Sequence, residues 1–378
     1  MAGIYLHIPF CKQACHYCDF HFSTQLKVKD SMLNALARES ELRKDELKEE
    51  PIETIYFGGG TPSLLSTDEL ESLVNTVHLQ FNVIENPEIT LEANPDDLSN
   101  SVLKSFSESP INRLSIGIQS FFEEDLKLMN RAHNAAQAEQ SLIEAKKYFK
   151  NISIDLIYGI PGMNHQRWKE NIQKALEFDL PHISSYALTV EPRTALKKFI
   201  EKGLVQDVDD EQAQEQFHIL LDILEGQGYV NYEISNFGKL DYFSKNNSSY
   251  WQGKSYLGIG PSAHSFDGTT RSWNIRNNIK YIKAIEENTL PIEREELSVK
   301  DRYNEYVMTG LRTVWGVSLE KVKHDFGKQY LTYLKMQAEK YIQEHLLYQD
   351  EDKILVTKKG KFLVDGIASD LFMVNLVT

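Results

Sequence analysis

The chain has 378 residues, with 41 basic and 55 acidic side chains and a net charge of −14. An apolar share of 41% and a charged share of 25% suit a globular enzyme, and this length predicts a large core domain with an appendage. No run approaches the ~18 apolar residues of a membrane span, and the acidic balance argues against a general grip on nucleic acid. The opening Met-Ala-Gly-Ile-Tyr-Leu-His lacks the basic stretch and apolar core of a signal peptide, so the expected location is the cytoplasm.

Short runs rich in Ile, Val, Leu and Tyr, closed by Gly, Pro, Asn or polar residues, predict strands over 3–8, 54–59, 88–94, 113–119, 152–160 and 182–190. Helical patterns lie between them at 29–49, 67–80, 135–149 and 164–178, and 209–226 follows the last strand. Thr67, with Asp68 and Glu69, and Asn164 mark helix starts. Six strand–helix units predict a parallel sheet; an open (β/α)6 barrel and a flat doubly wound sheet fit the pattern equally. After Asp267 the pattern changes. Residues 274–293 are polar and read as a connecting segment, and from Asp301 the chain is mostly helical, with a strand pair or wing around 353–356. The expected division is a core over 1–235, a connecting segment over 236–300 and a winged-helix-like C-terminal domain over 301–378. The balanced charge of that last part is no footprint for DNA.

The chain's three cysteines, Cys11, Cys15 and Cys18, sit inside eight residues. An odd number excludes a framework of paired disulfides. A zinc site would need a fourth ligand, which His16 or His21 offers, but the gaps do not match a paired zinc knuckle. Spacing of Cys-x3-Cys-x2-Cys suits an iron–sulfur cube with three thiolates on three irons and one iron left open. The loop resembles that of the radical S-adenosylmethionine (SAM) superfamily. That resemblance implies a partial barrel, a [4Fe-4S] cluster on Cys11, Cys15 and Cys18, and SAM on the open iron. One electron there cleaves the sulfonium to methionine and a 5′-deoxyadenosyl radical.

In parallel α/β folds, ligands bind at the carboxyl ends of the strands. Strand two ends in Gly58-Gly59-Gly60-Thr61-Pro62, with no following Gly-Lys-Ser/Thr, so it is not a phosphate-binding loop. Glu92 lies at the exit of strand three, Gln119 ends strand four, Arg131 follows it and Asp155 is in strand five. Carboxylates suit ribose hydroxyls and Arg131 suits a carboxylate. His7 is read as bracing the loop rather than binding metal.

The strings at 5–18, 58–62, 92–95, 115–119, 155–161, 256–265 and 367–372 resemble the oxygen-independent coproporphyrinogen III oxidase family over nearly the whole chain. By position, the resemblance implies that Tyr5, Tyr17, Gly59 and Glu92 contact cluster-bound SAM. It assigns Gly60, Thr61, Gln119, Arg131, Asp155 and Ala187 to a second SAM environment, or to the same SAM in single-SAM relatives. The oxidases carry a fourth cysteine where Phe20 stands here and a long segment ahead of the cysteine loop. Both differences match the heme-chaperone branch of the family. This implies heme as cargo, an acceptor protein to receive it, an electron donor, and no decarboxylation of coproporphyrinogen III. That branch carries His-Asn-x-x-Tyr-Trp, with the histidine associated with heme; here the motif is Asn246-Asn247-Ser248-Ser249-Tyr250-Trp251. An amide does not replace imidazole on heme iron, and His264 is the substitute within the motif region. Tyr250 and Trp251 fit packing or a heme wall equally.

Overall fold

The computed structural model describes residues 1–47 and 50–374. Its six parallel strands are β1 (Ala2–Ile8), β2 (Ile52–Gly59), β3 (Val83–Ala93), β4 (Arg113–Gln119), β5 (Ile152–Tyr158) and β6 (His182–Ala187). They pair in chain order. Beyond β6 the sheet is extended by the antiparallel hairpin β7 (Val230–Glu233) and β8 (Asn236–Gly238). Beyond β1 it is extended by β9 (Tyr256–Ile259), β10 (His264–Phe266), β11 (Thr270–Asn274) and β12 (Ile292–Glu296). Among the described residues β12 and β7 remain separate edges, so the barrel is partial, as the superfamily resemblance implied.

Alternation along the strands explains the layers. Ile4, Leu6, Ile55, Phe57, Leu91, Leu114, Ile116 and Ile154 face the helices and are fully buried. Residues between them point into the lumen, and they are polar: Tyr5, Tyr56, Thr90, Glu92, Arg113, Ser115 and Asp155. Register aligns them, with Tyr5 opposite Tyr56, Tyr56 opposite Thr90, Thr90 opposite Arg113, and Asp155 opposite Ser184.

The predicted helix starts are locally encoded. Ser66 caps Thr67–Gln80, accepting from Glu69 N–H while Glu69 reaches back, and Asn164 accepts from the Arg167 N–H at 2.8 Å. Thr67 is therefore the first helical residue, with Ser66 as its cap. The helix expected over 29–49 spans Lys29–Leu42; residues 48 and 49 lie outside the described residues. Residues 274–293 are more than a connection, holding the end of β11, the helix Asn278–Glu286 and the start of β12. These edge strands are short and polar, with all of β12 partly or fully exposed, so they carry none of the apolar alternation that marks a strand in sequence.

The C-terminal part is mostly helical. Helices Val299–Leu311, Leu319–Asp325, Lys328–Gln343 and Val364–Asp370 pack around β13 (Val317–Ser318), β14 (Leu347–Asp350) and β15 (Lys353–Val356). Tyr303, Val307, Leu334, Ile354 and Ile367 form an apolar core of its own. Arg312 pins this part to the barrel, bridging Glu233 at 3.2 Å and lying over the Trp251 ring at 5.0 Å.

Candidate functional site

The loop after β1 carries all three cysteines and is fixed by backbone and side-chain hydrogen bonds. Cys11 N–H donates to Ser23 O at 3.0 Å, and Ser23 N–H to Pro9 O at 2.9 Å, closing the loop at its base. Its far side is held by the segment after β4. His16 donates from backbone and ring to the carbonyls of Met129 and Leu128, and the Asn130 amide donates to Ala14 O. His7 braces the loop from below: its Nε2 donates to His21 O at 2.9 Å, so Nδ1 accepts from the Tyr5 hydroxyl at 3.2 Å. Burial lowers the His7 pKa to about 4, so the ring stays neutral.

The glycines after β2 serve this loop. A side chain on Gly60 would meet Phe10 O at 2.5 Å, and one on Gly59, whose φ is +108°, would meet the His7 ring at 2.5 Å. Backbone here lies close enough for Thr61 N–H to donate to Phe10 O at 2.6 Å.

Arg131 joins the loop to the lumen. Its Nη1 lies 3.4 Å from Cys15 Sγ, and its Nη2 donates to Asn94 Oδ1 at 2.6 Å and Gly117 O at 2.9 Å. It also bonds Tyr17. The Cys11 and Cys18 thiols are pushed up, Cys18 to about 11, by burial first, with their cysteine neighbours adding to the rise. Among the described residues no three His, Cys, Asp or Glu side chains converge tightly enough to hold one metal ion. A cube takes three thiolates on three different irons, which is the donor set this one loop carries. The donor set fits the cube.

Below the loop, Glu92 accepts from the Tyr56 hydroxyl at 2.7 Å and from Gly59 N–H at 3.3 Å. Burial lifts its carboxyl to about 7, and that of Asp155 to about 6. Arg113 faces both; it is buried, and its Nε has no hydrogen-bond partner, nor has the buried Thr90 hydroxyl. Opposed charges and orphaned polar atoms in one enclosed space fit a ligand carrying an ammonium, a carboxylate and hydroxyls, the groups of SAM. Gln119 ends β4 with φ +67°, and half-buried Ala187 ends β6.

The structure thus brings Tyr5, Tyr17, Gly59, Gly60, Thr61, Glu92, Arg131 and the three cysteines to one end of the barrel, with Asp155 deeper in the lumen. Sequence reasoning missed Arg113, Tyr56 and Asn94. The readable signal was a polar residue at every second position of strands whose other positions are wholly apolar. Phe20, at the fourth-cysteine position, is 70% exposed. Asn246 lies elsewhere. It is 4% exposed, its backbone N–H donates to Glu88 at 3.2 Å, and its Oδ1 accepts from Thr54 at 3.1 Å. Thr54 and neighbouring Gly3 stand at the start of their strands, and Gly3 is five residues, roughly 16 Å, below Ile8 and the cysteine loop.

Residues 5–175 match the Radical SAM superfamily and residues 297–363 the HemN C-terminal domain. The heme chaperone HemW of Lactococcus lactis is 36% identical over 375 residues, covering 96% of this chain and 97% of that protein. The chain belongs to the HemW family. HemW of Bacillus subtilis is 35% identical over 371 residues, again covering 96% and 97%. Coproporphyrinogen III oxidase of Escherichia coli, a radical SAM enzyme, superposes with a TM-score of 0.85 over 98% of this chain and 90% of its own, at 22% identity. The oxidase and this HemW relative therefore share a fold.

Proposed function

We propose that this chain holds a [4Fe-4S] cluster on Cys11, Cys15 and Cys18, binds SAM in the lumen beneath it, and carries heme for delivery to an acceptor protein. One observation supports the first two parts above others: a loop bearing three thiols sits on a lumen where Glu92 and Asp155 oppose Arg113 and Arg131. When bound, such a cluster supplies a single electron able to cleave the sulfonium of SAM.

The residues divide the work. Glu92, near Gly59 and Tyr56, is suited to hold the ammonium of SAM, whose positive charge would draw the carboxyl into its ionised form. Arg131 is suited to a carboxylate while it screens Cys15, and Asp155 to hydroxyls. Tyr5 and Tyr17, both half-buried, supply aromatic walls suited to line the ligand. Gly60, Thr61, Gln119 and Ala187 shape the rim. The proposed organisation is a radical SAM core over 1–235, a segment over 236–300 that extends its sheet, and a C-terminal domain over 301–378. No helix among the described residues is long and apolar enough to cross a membrane, and a cytoplasmic site of action and an electron donor are part of the reading.

Anaerobic reconstitution with iron and sulfide, then separate assays of SAM binding and heme binding, tests it. The expected result is a cluster, SAM bound to it, and heme bound by the same chain, without conversion of coproporphyrinogen III to protoporphyrinogen IX. Turnover in that last assay would replace chaperoning with oxidase activity.

A further inference from the structure

A cleft of about 520 Å³ separates the end of the helix Lys245–Trp251 and strands β9–β11 from the C-terminal domain. This is within the range of small-molecule sites. Tyr250, Tyr256 and Phe266 wall one side, Tyr306 and Phe326 the other. The first three form a continuous surface: Tyr250 meets Tyr256 edge-on at 4.5 Å, and Tyr256 meets Phe266 at 6.2 Å. Two residues before Phe266 on β10, and so on the same face one pleat away, stands His264. Trp273, opposite it on β11, lies 6.0 Å from its ring.

Three cations line the cleft. Arg271 pairs with Glu305, and Lys321 with Asp325 at 2.6 Å. Among the described residues the Arg302 guanidinium makes no ion pair or hydrogen bond, and its Nε is shielded from solvent without a partner. The local balance is positive in a chain of net charge −14. His264 is exposed, and its ring nitrogens make no hydrogen bond among the described residues. Other histidines near the barrel are engaged: His7, His21 and His182 are each hydrogen-bonded, and His16 donates to Leu128 O. A flat apolar ring bearing carboxylates and a metal that wants imidazole matches aromatic walls, an unpaired arginine and a free histidine.

We propose that heme binds in this cleft, with His264 ligating the iron and Arg302 pairing with a propionate. This rests on the heme-carrying reading above and adds where and how the cargo is held. It places heme between the barrel extension and the C-terminal domain, against Tyr256, which pairs with Gly3 at the start of β1.

The test is titration of the native chain, His264→Ala and Arg302→Gln with hemin and, separately, with metal-free protoporphyrin IX, followed by absorption and fluorescence. Arg302 lines the cleft and His264 is exposed one pleat beyond it, and far-UV circular dichroism verifies folding. His264→Ala is expected to shift the Soret band and weaken hemin binding at least tenfold, while leaving protoporphyrin IX affinity unchanged, since that ring has no iron. Arg302→Gln is expected to weaken both ligands and leave the Soret position in place. Hemin bound by all three proteins with equal affinity and one spectrum overturns this placement and leaves heme carrying intact. A native chain that binds no hemin overturns both.

Discussion

Tyr56 donates its hydroxyl to the half-buried Glu92 across 2.7 Å in the lumen, yet the Glu92 carboxyl is still lifted to about 7. One hydrogen bond does not repay the loss of hydration, and Asp155 adds a second negative charge in the same space. The ligand-free lumen is therefore electrostatically unsatisfied near neutral pH, and this has a measurable consequence.

A carboxyl whose pKa is higher folded than unfolded stabilises the fold when protonated. That stability is fully present below the unfolded value of about 4.3 and is lost as pH rises through 7. Urea unfolding of the cluster-free protein should show a Glu92→Gln variant more stable than native at pH 8, by on the order of 2 kcal/mol, with the gap closing by pH 5. SAM should raise native stability at pH 8 and do so less for the variant. A pH-independent difference would mean that Glu92 is ionised throughout.

Glu39 is expected to be the most costly buried carboxylate to remove. It bridges Arg43 at 2.9 Å, the Gly260 N–H at 2.8 Å, the Asn274 amide at 2.7 Å and the Tyr281 hydroxyl at 2.5 Å. Arg43 in turn holds Gly258 O and Ser265. Glu39→Ala leaves a guanidinium that is 1% exposed with Glu46, 2.7 Å away, as its one remaining carboxylate partner, and should cost about 2–3 kcal/mol in chemical denaturation. Faster proteolysis at 258–264 should accompany it, because this cluster is what ties that loop to the helix Lys29–Leu42.

Cys15→Ala should abolish the cluster. After anaerobic reconstitution the native chain is expected to hold about four irons, with a reduced spectrum that changes on adding SAM, as an iron with an open site requires. The variant should show neither. Zinc as the sole metal taken up under the same conditions would restore the rejected mononuclear reading.

Asn246→His should lower stability by about 1–3 kcal/mol without tightening hemin binding. The position is packed beneath Gly3, with its amide oxygen taken by Thr54 and its N–H by Glu88. An imidazole there fits only by displacing one of these groups. Tenfold tighter hemin binding by this variant would show that the helix Lys245–Trp251 opens to admit the ligand.

The cysteine loop and the strand ends were legible because their information is local. Three thiolates for one cluster can come from eight consecutive residues, and the helix caps act on neighbours within a turn. Lumen chemistry was half legible. Glu92 and Asp155 stand out in sequence as charges inside apolar strands, but Arg113 and Tyr56 become their partners only through the register of adjacent parallel strands, which no single segment encodes.

By itself, the sequence determined the alternation of strand and helix, the thiol spacing and the family. Only tertiary structure decided which strands follow β9 at the sheet edge, that Asn246 is walled in at the far end of the barrel, and that the His264 ring is left without a hydrogen bond among the described residues. The physical reason is that burial and ionic pairing depend on which chain segments meet. Asn246 and His264 are 18 residues apart, yet one is closed in by the barrel strands β1, β2 and β3 while the other lies on a short edge extension open to solvent.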